Sequence, residues 1–166
     1  MKTIKVNLYE FSELSKEAKA KAIQLLSDIN IDHDWWECTY EDAKDIGLKI
    51  EGFDIGRGQS CEGEFTLSAC EVAQNIFNNR GESCKSYKIA SDFMEVWEPV
   101  FNEYMQKEGY DLENRLMNME EYFKESLLCD YLKSLRDEYD YRTTEEAVIE
   151  TIEANDYDFT VEGKLY

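Results

Sequence analysis

The sequence feature that most constrains the fold is a run of apolar residues that recurs at three- and four-residue steps in the second half of the chain. The run consists of Leu112, Leu116, Met119, Phe123, Leu127, Tyr131, Leu135 and Tyr139. Side chains at this spacing share one face of an α-helix, because the helix repeats every 3.6 residues. The sequence therefore predicts one helix that is long enough to brace the whole fold.

Strand signals occur near both ends of the chain and in its middle. Residues 3–9 alternate apolar and polar side chains, which is typical of a half-buried strand. The apolar face of that strand would consist of Ile4, Val6 and Leu8. Residues 48–54 and 61–67 favour two more strands, and Gly56-Arg57-Gly58 between them predicts a hairpin. Residues 157–161 favour a last strand, and we expect it to pair with the first.

Capping and stop signals predict the remaining helices. Ser15 and Ser68 precede apolar periodic segments, Thr143 opens a third one, and Gly47 follows the end of another. We expect helices at residues 16–29, 35–46, 69–79, 85–107 and 143–154. Pro99 is expected to kink or break the fourth of these, because proline removes a backbone hydrogen bond. The sum is an α+β fold, with a small and mostly antiparallel sheet packed with several helices in one domain over residues 1–166.

The charge balance restricts the class of partner. The chain contains 37 acidic and 18 basic residues, a formal net charge of −19, which exceeds what solubility requires of a small domain. Such a surface repels nucleic acid and anionic lipid, and its self-repulsion lowers stability. Residues 108–166 are the more polarised part, with 17 acidic against 6 basic residues. A basic protein is therefore the expected partner, with no direct binding of nucleic acid or membrane.

The cysteines and the first residues indicate a cytoplasmic location. The five cysteines are widely spaced and never form a C-x-x-C pair, which argues against a disulfide framework and a zinc ribbon. Lysines occur among the first residues, where a signal peptide would have its apolar stretch. No segment is long and apolar enough to predict a membrane span.

Few residues offer catalytic chemistry. His33 is the only histidine, and Cys70 falls near a predicted helix start, where helix dipoles lower the pKa of a thiol. Neither has the partner residues that a nucleophile or a general base requires. The acidic pairs Asp32/Asp34 and Asp156/Asp158 lack the spacing of a calcium loop. We therefore predict a binding protein, not an enzyme, with no cofactor and no metal site.

Acidic helix faces are the predicted binding surface. The candidate contact residues are Glu113, Glu120, Glu121, Glu125, Asp137, Glu138, Asp140, Glu146, Glu150 and Glu153, with Tyr139 and Tyr141 as aromatic anchors. B-form DNA presents one charge per about 1.7 Å of axis, whereas an acidic helix face presents one per roughly 5 Å. Two adjacent acidic faces are therefore needed to approach the charge density of DNA.

Three segments resemble a group of known proteins. At residues 13–23 (ELSKEAKAKAI), 35–43 (WWECTYEDA) and 149–155 (IETIEAN), the chain resembles small acidic proteins encoded by bacteriophages and prophages of gut bacteria. The resemblance supplies no catalytic motif. It implies a context in which small acidic phage proteins inhibit host defence, among them anti-restriction and anti-CRISPR proteins that occupy the basic nucleic-acid channel of a nuclease.

These observations lead to three hypotheses. The first is a phage-type inhibitor of a host defence protein, such as a CRISPR effector nuclease or another DNA-binding defence enzyme, with an anti-CRISPR protein as its sharpest form. The second is a small-molecule or nucleotide-binding protein or enzyme, with a pocket near His33, Trp35, Trp36, Tyr40 and the Gly56–Gly58 loop. The third is an antitoxin-like partner of a basic toxin.

Overall fold

A computed structural model describes residues 6–107 and 109–166 of the chain. Within these residues the fold is α+β, as predicted, with six α-helices and two small antiparallel sheets. The helices are α1 (Lys16–Leu25), α2 (Glu37–Asp45), α3 (Ala69–Asn79), α4 (Lys85–Gln106), α5 (Tyr110–Arg142) and α6 (Glu145–Ala154). The long helix predicted from the apolar run is confirmed as α5. None of the described helices combines the length and apolarity that crossing a membrane requires.

The strands form two separate two-stranded sheets where the sequence predicts one. They are β1 (Tyr9–Glu10), β2 (Leu48–Asp54), β3 (Ser60–Phe65) and β4 (Asp158–Phe159). The predicted hairpin is confirmed as β2 and β3, whose register pairs Leu48 with Phe65 and shifts between Ile50 and Gly52. The predicted pairing of the two ends is also confirmed, since β1 and β4 are antiparallel partners. Each strand pairs with one partner strand only, so a single sheet does not form.

The first strand is shorter than predicted. Residues 3–5 of the predicted strand, including Ile4, lie outside the described residues. Val6 and Leu8 precede β1 and do not belong to a strand, and Val6 is exposed. The period-two pattern was therefore wrong for residues 6–8, because only Tyr9 and Glu10 have a partner strand opposite them.

Local side-chain chemistry fixes the helix starts. The Ser15 hydroxyl accepts a hydrogen bond from the Ala18 amide at 3.2 Å, as an N-cap does. Glu71 completes the predicted capping box, because its carboxylate accepts hydrogen bonds from the Ser68 amide at 3.0 Å and the Ser68 hydroxyl at 2.6 Å. These hydrogen bonds lower the pKa of Glu71. Both predicted caps are confirmed.

Three features of the helices differ clearly from the predictions. α1 ends at Leu25, and turns occupy residues 26–30, where the sequence predicted a longer helix. Pro99 lies inside α4 without breaking it. Thr144, not Thr143, caps α6, since its hydroxyl accepts from the Ala147 amide at 3.2 Å. Thr143 instead follows directly on α5, since its amide and its hydroxyl both donate to the Tyr139 carbonyl, at 3.1 and 2.9 Å.

The chain divides into two compact units. We call residues 1–35 and 137–166 the terminal unit and residues 36–136 the central unit. The sequence predicts that all 166 residues form one domain.

The terminal unit has a small core between α1, α6 and the β1–β4 pair. Its buried residues are Phe11, Leu14, Ala18, Ala22, Val148, Ile152 and Phe159. Phe11 and Phe159 pack with ring centroids 6.1 Å apart. Because α1 and α6 are at opposite ends of the sequence, this core forms only when both ends are present.

The central unit has the larger core, which lies among α2 to α5 and the hairpin. Phe93 and Phe123 stack at its middle with ring centroids 4.3 Å apart. A polar network supports it, in which the Tyr131 hydroxyl donates to Asp42 Oδ2 at 2.9 Å and Arg80 Nη2 lies 2.7 Å from Asp42 Oδ1. Burial and the neighbouring Asp42 carboxylate raise the pKa of Tyr131 above its usual value. Tyr131 therefore stays protonated and acts as a donor.

Candidate acidic interface

The ten predicted acidic contact residues fall in both units. Glu113, Glu120, Glu121 and Glu125 lie on the part of α5 that belongs to the central unit. The other six lie in the terminal unit, on the last turns of α5 and on α6; they are Asp137, Glu138, Asp140, Glu146, Glu150 and Glu153.

Three of the ten carboxylates are engaged within the protein. Glu138 Oε1 accepts a charge-assisted hydrogen bond from Arg142 Nη2 at 2.8 Å. Glu121 pairs with Lys124 at 3.0 Å, and Glu120 accepts a hydrogen bond from the Trp97 indole at 3.2 Å. These three side chains already bind groups within the protein, so they are weaker candidates for partner contacts.

The other seven are exposed and make no hydrogen bond or ion pair with a described residue. They are Glu113, Glu125, Asp137, Asp140, Glu146, Glu150 and Glu153. Five of these seven belong to the terminal unit. Among the ten candidates, the free carboxylates are therefore concentrated near the C-terminal end of the chain.

Helix α6 presents three of these carboxylates on one side because of its residue pattern. Ala147, Val148 and Ile152 are buried and fix the orientation of the helix. Glu146, Glu150 and Glu153 recur at four- and three-residue steps, which places them on a common face. Like charges at this spacing slightly destabilise a helix. The arrangement therefore has a cost that packing of the apolar face must offset.

A cleft of about 210 Å³ in the terminal unit is lined by residues of both α5 and α6. Glu138, Tyr141 and Arg142 line it from α5, and Glu150 and Thr151 line it from α6. Three of the twelve predicted contact residues thus meet at one place. We call this place, together with the free carboxylates one helical turn away from it, the acidic cleft.

Helical spacing defines the extent of the acidic cleft. Asp137 precedes Tyr141 by four residues on α5, so the two side chains are neighbours on the helix surface. On α6, Glu146 and Glu153 flank Glu150 by one turn on each side. The surface therefore combines carboxylates from two helices around one exposed tyrosine.

A buried asparagine holds the cleft together. The Asn30 side chain donates to the Arg142 carbonyl at 3.1 Å and accepts from the Thr151 hydroxyl at 2.7 Å. Arg142 Nη1 in turn donates to the Asn30 carbonyl at 3.4 Å. Asn30 is the one polar residue among the buried residues described, at 9% exposed. Because its hydrogen bonds reach both α5 and α6, it sets their spacing at the cleft.

Sequence reasoning did not find Asn30. The residue lies between Ile29 and Ile31, where an asparagine also fits the end of a helix. Its two partners lie 112 and 121 residues further along the chain. The only local signal was a polar side chain between two isoleucines, and that signal does not identify the partners.

The two tyrosines that were predicted as anchors occupy different environments. Tyr141 is 61% exposed and lines the cleft. Tyr139 is half-buried and packs against Trp35 with ring centroids 5.8 Å apart. Tyr141 is therefore the accessible aromatic side chain, whereas Tyr139 contributes to the packing of the terminal unit.

The basic residues of this region do not neutralise it. Residues 137–166 contain ten acidic and two basic side chains. The two basic residues are Arg142, which pairs with Glu138, and Lys164, whose amino group lies 3.8 Å from Glu162. A surplus of negative charge consequently faces solvent at the acidic cleft.

The residues of the alternative pocket hypothesis are engaged in packing or exposed. His33 is exposed and Trp35 is buried, and both belong to the terminal unit. In the central unit, Trp36 and Tyr40 pack edge-on against Phe53, with ring centroids 5.7 and 6.2 Å away. These contacts give the aromatic side chains a role in packing, which weakens the case for a ligand pocket.

The Gly56–Gly58 loop already binds a carboxylate of its own chain. Asp54 Oδ1 accepts a hydrogen bond from the Gly56 amide at 2.6 Å. A phosphate would need that amide and would be repelled by the Asp54 charge. The loop is therefore poorly suited to bind a nucleotide.

The thiols have raised pKa values where they are partly buried. Burial raises the pKa of Cys70 to about 11, and the charges of Glu120, Glu98 and Glu71 add to the effect. Burial likewise raises the pKa of Cys61 to about 11. Cys70 lies near the start of α3, where a helix dipole lowers the pKa of a thiol, but desolvation and nearby carboxylates raise the pKa instead. A thiol with this pKa is a poor nucleophile at neutral pH.

No group of three or more histidine, cysteine or acidic side chains is placed to hold a metal ion among the residues that the structure describes. Comparison of the whole chain with protein-family models, with curated proteins and with solved structures finds no match.

Proposed function

We propose that this protein is a phage-type inhibitor that binds a basic, DNA-handling defence protein of the host through the acidic cleft. The observation that supports it best is the set of five free carboxylates on the last turns of α5 and on α6, one of which, Glu150, shares a cleft with the exposed Tyr141. In its sharpest form, the target is a CRISPR effector nuclease.

Electrostatics explains how such a surface would compete with DNA. Carboxylates at the acidic cleft take the place of phosphates and accept charge-assisted hydrogen bonds from arginine and lysine. Three acids on α6 span about 10 Å, and a second row from α5 raises the charge density toward that of one DNA strand. The negative potential also speeds association with a positive surface.

The position of Tyr141 adds specificity to the charge. Binding hot spots are enriched in tyrosine, and they are surrounded by contacts that exclude water. Tyr141, Glu138 and Glu150 line the same cleft, so a partner arginine can contact the ring and a carboxylate together. A purely solvated acidic face would not require an exposed aromatic ring beside its carboxylates.

The test compares two triple charge reversals with the same change in net charge. The first is Glu146→Lys/Glu150→Lys/Glu153→Lys on α6. The matched control is Asp45→Lys/Glu62→Lys/Glu82→Lys, at exposed acids of the central unit that have no partner among the described residues. Both variants and the original chain are tested for binding to purified guide-loaded CRISPR nucleases and for inhibition of DNA cleavage, in rising salt.

We expect the α6 reversal to abolish binding and inhibition, while the control retains most of both. Binding of the original chain should weaken as salt rises, because exposed charges are screened. Equal losses in the two triple variants, or an affinity indifferent to salt, would contradict the proposal. A basic toxin offers the same surface chemistry, so the same variants distinguish an antitoxin role when toxins replace nucleases as the probe.

A further inference from the structure

The central unit has a groove that the acidic cleft does not involve. It runs between α4 and α5 and has a volume of about 570 Å³. Its apolar walls are Ile89, Phe93 and Val96 from α4, and Met119, Tyr122 and Phe123 from α5. Soluble proteins rarely leave a large apolar surface open to water, and those that do often use it for binding.

The groove has a firm floor and open sides. Phe93 and Phe123 stack with an interplanar angle of 5°, and both are almost fully buried. Val96 and Tyr122 rise on opposite helices and are 52% and 73% exposed. The floor is therefore preformed, while the two sides have apolar surface that remains to be covered.

The dimensions of the groove match a helix. Ile89, Phe93 and Val96 follow each other at four- and three-residue steps, so the α4 wall is two turns long, about 10 Å. An amphipathic helix presents its own anchors at the same spacing and over the same length. Two helices with apolar ridges on one side commonly receive a third helix in the groove between them.

The charge around the groove selects the kind of helix. Residues 88–103 and 115–125, which contain the two walls, hold seven acidic and three basic side chains. Asp92 lines the groove itself and is exposed, and Glu125 lies one turn beyond Tyr122 on α5. Neither carboxylate has a partner among the described residues. An occupant with lysine or arginine beside its apolar anchors would satisfy them.

The same charge argues against other occupants. A second copy of this chain would bring another net charge of −19 to the acidic rim. A nucleotide or another anion would meet Asp92, which is the one charged side chain among the lining residues. We infer that the α4–α5 groove binds a basic amphipathic helix of another protein. This inference is independent of the proposed function, because it uses other residues in the other unit.

The experiment uses the full chain and three designed peptides as probes. The first peptide is helical, with leucines at i, i+4 and i+7 and lysines elsewhere. The second has the same leucines with glutamates in place of lysines, and the third has the composition of the first in an order without an apolar face. Affinities are measured by calorimetry for the original chain, for Val96→Gln/Tyr122→Gln, and for a control, Met105→Gln/Met117→Gln.

The control matches the test variant in kind. Met105 and Met117 also lie on α4 and α5, are 66% and 62% exposed, and are not among the residues that line the groove. Because all four positions are exposed, neither variant should perturb folding, and circular dichroism checks this.

We expect the leucine–lysine peptide to bind the original chain and the control equally. Val96→Gln/Tyr122→Gln should weaken it by roughly tenfold or more, as loss of two central anchors does. The glutamate peptide and the reordered peptide should bind weakly or not at all. Three outcomes would overturn the inference: equal affinity of the leucine–lysine peptide for both variants, equal binding of the glutamate peptide, or a self-associated chain that becomes monomeric in Val96→Gln/Tyr122→Gln.

Discussion

The terminal and central units differ in how they balance apolar burial against charge. The core of the central unit contains seventeen buried residues, whereas that of the terminal unit contains seven, counted among the described residues. Yet the terminal unit has an acidic excess of nine over 65 residues, and the central unit has one of ten over 101. The unit with the smaller core therefore has the denser charge.

This difference has a physical consequence. Repulsion among like charges lowers the free energy of unfolding, and a small core has less burial to offset it. A surface that only needed to stay dissolved would be expected to place its charge on the better-supported unit. The concentration of free carboxylates at the acidic cleft is easier to explain when a cationic partner compensates them, as in the proposed function.

Truncation of a core phenylalanine in each unit tests this difference with the largest expected loss of stability. Phe123→Ala should lower the free energy of unfolding of the central unit by about 3–5 kcal/mol, since its ring packs against Phe93 and Phe65. Phe159→Ala, which loses the contact with Phe11, should fall at the low end of that range. Chemical denaturation with hydrogen exchange as a second readout measures both.

Hydrogen exchange also shows whether the two units unfold together. If they are one cooperative domain, as the sequence predicts, Phe159→Ala will speed exchange in the hairpin of the central unit as much as in α1. Separate effects in the two units would instead contradict the single-domain prediction.

Substitution of a glycine in the terminal unit should cause a smaller loss of stability. Gly163 has φ +77°, and a Cβ added to it would clash with the Ala18 carbonyl oxygen of α1. Gly163→Ala should therefore cost about 2–3 kcal/mol, from backbone strain and from displacement of the last segment away from α1. Thermal unfolding measures the loss.

Gly52 supplies the matched control in the central unit. It lies in β2, and a Cβ added there would meet nothing within 4 Å. Gly52→Ala should change stability by less than about 1 kcal/mol. Equal effects of the two substitutions would mean that the close approach of Gly163 to α1 does not contribute to the stability of the terminal unit.

Near neutral pH the titration of the thiols has no effect on stability; their effect appears only above pH 9 and is confined to the central unit, which contains all five cysteines. The folded-state pKa values of Cys61 and Cys70 are about 11, above the ordinary value of 9.0. Between pH 9 and pH 11 the unfolded chain releases these protons while the folded chain keeps them. The free energy of unfolding should therefore fall over this interval and be unaffected by these groups below it.

The measurement is denaturation of the central unit as a function of pH. Cys61→Ser/Cys70→Ser should flatten the fall between pH 9 and pH 11. Cys38→Ser/Cys84→Ser is the control, because both of these cysteines are exposed. A pH profile that is the same for all three proteins would show that burial of the two thiols does not contribute.

The sequence predicted local features well and most distant ones poorly, the pairing of β1 with β4 being the exception. The box of Ser68 and Glu71 and the apolar run of α5 act within a few residues or along one helix, so the sequence contains everything that determines them. Thr143 and Thr144 both fit a cap, and the end of α5 decides between them, because the Thr143 amide still donates to the Tyr139 carbonyl of that helix. The sequence pattern therefore located the cap of α6 only to within one residue.

The candidate site shows the same division. Its carboxylates could be found from charge and helical spacing, because Glu146, Glu150 and Glu153 share a face whatever the tertiary fold. The meeting of Tyr141 with Glu150 could not, since it depends on Asn30 and on packing between the two ends of the chain. The packing of the half-buried Tyr139 against Trp35 could not be predicted from the sequence either.

The split of the terminal unit between the two ends of the chain also sets an order of events during synthesis. A ribosome that adds about 5–20 residues per second needs roughly 2–6 s to make residues 137–166 after the central unit is complete. Throughout that interval Phe11 and Leu14 lack the α6 and β4 residues that cover them. The nascent chain thus exposes an apolar N-terminal segment until the residues of α6 and β4 emerge. A prematurely terminated product would be a substrate for chaperones and proteases.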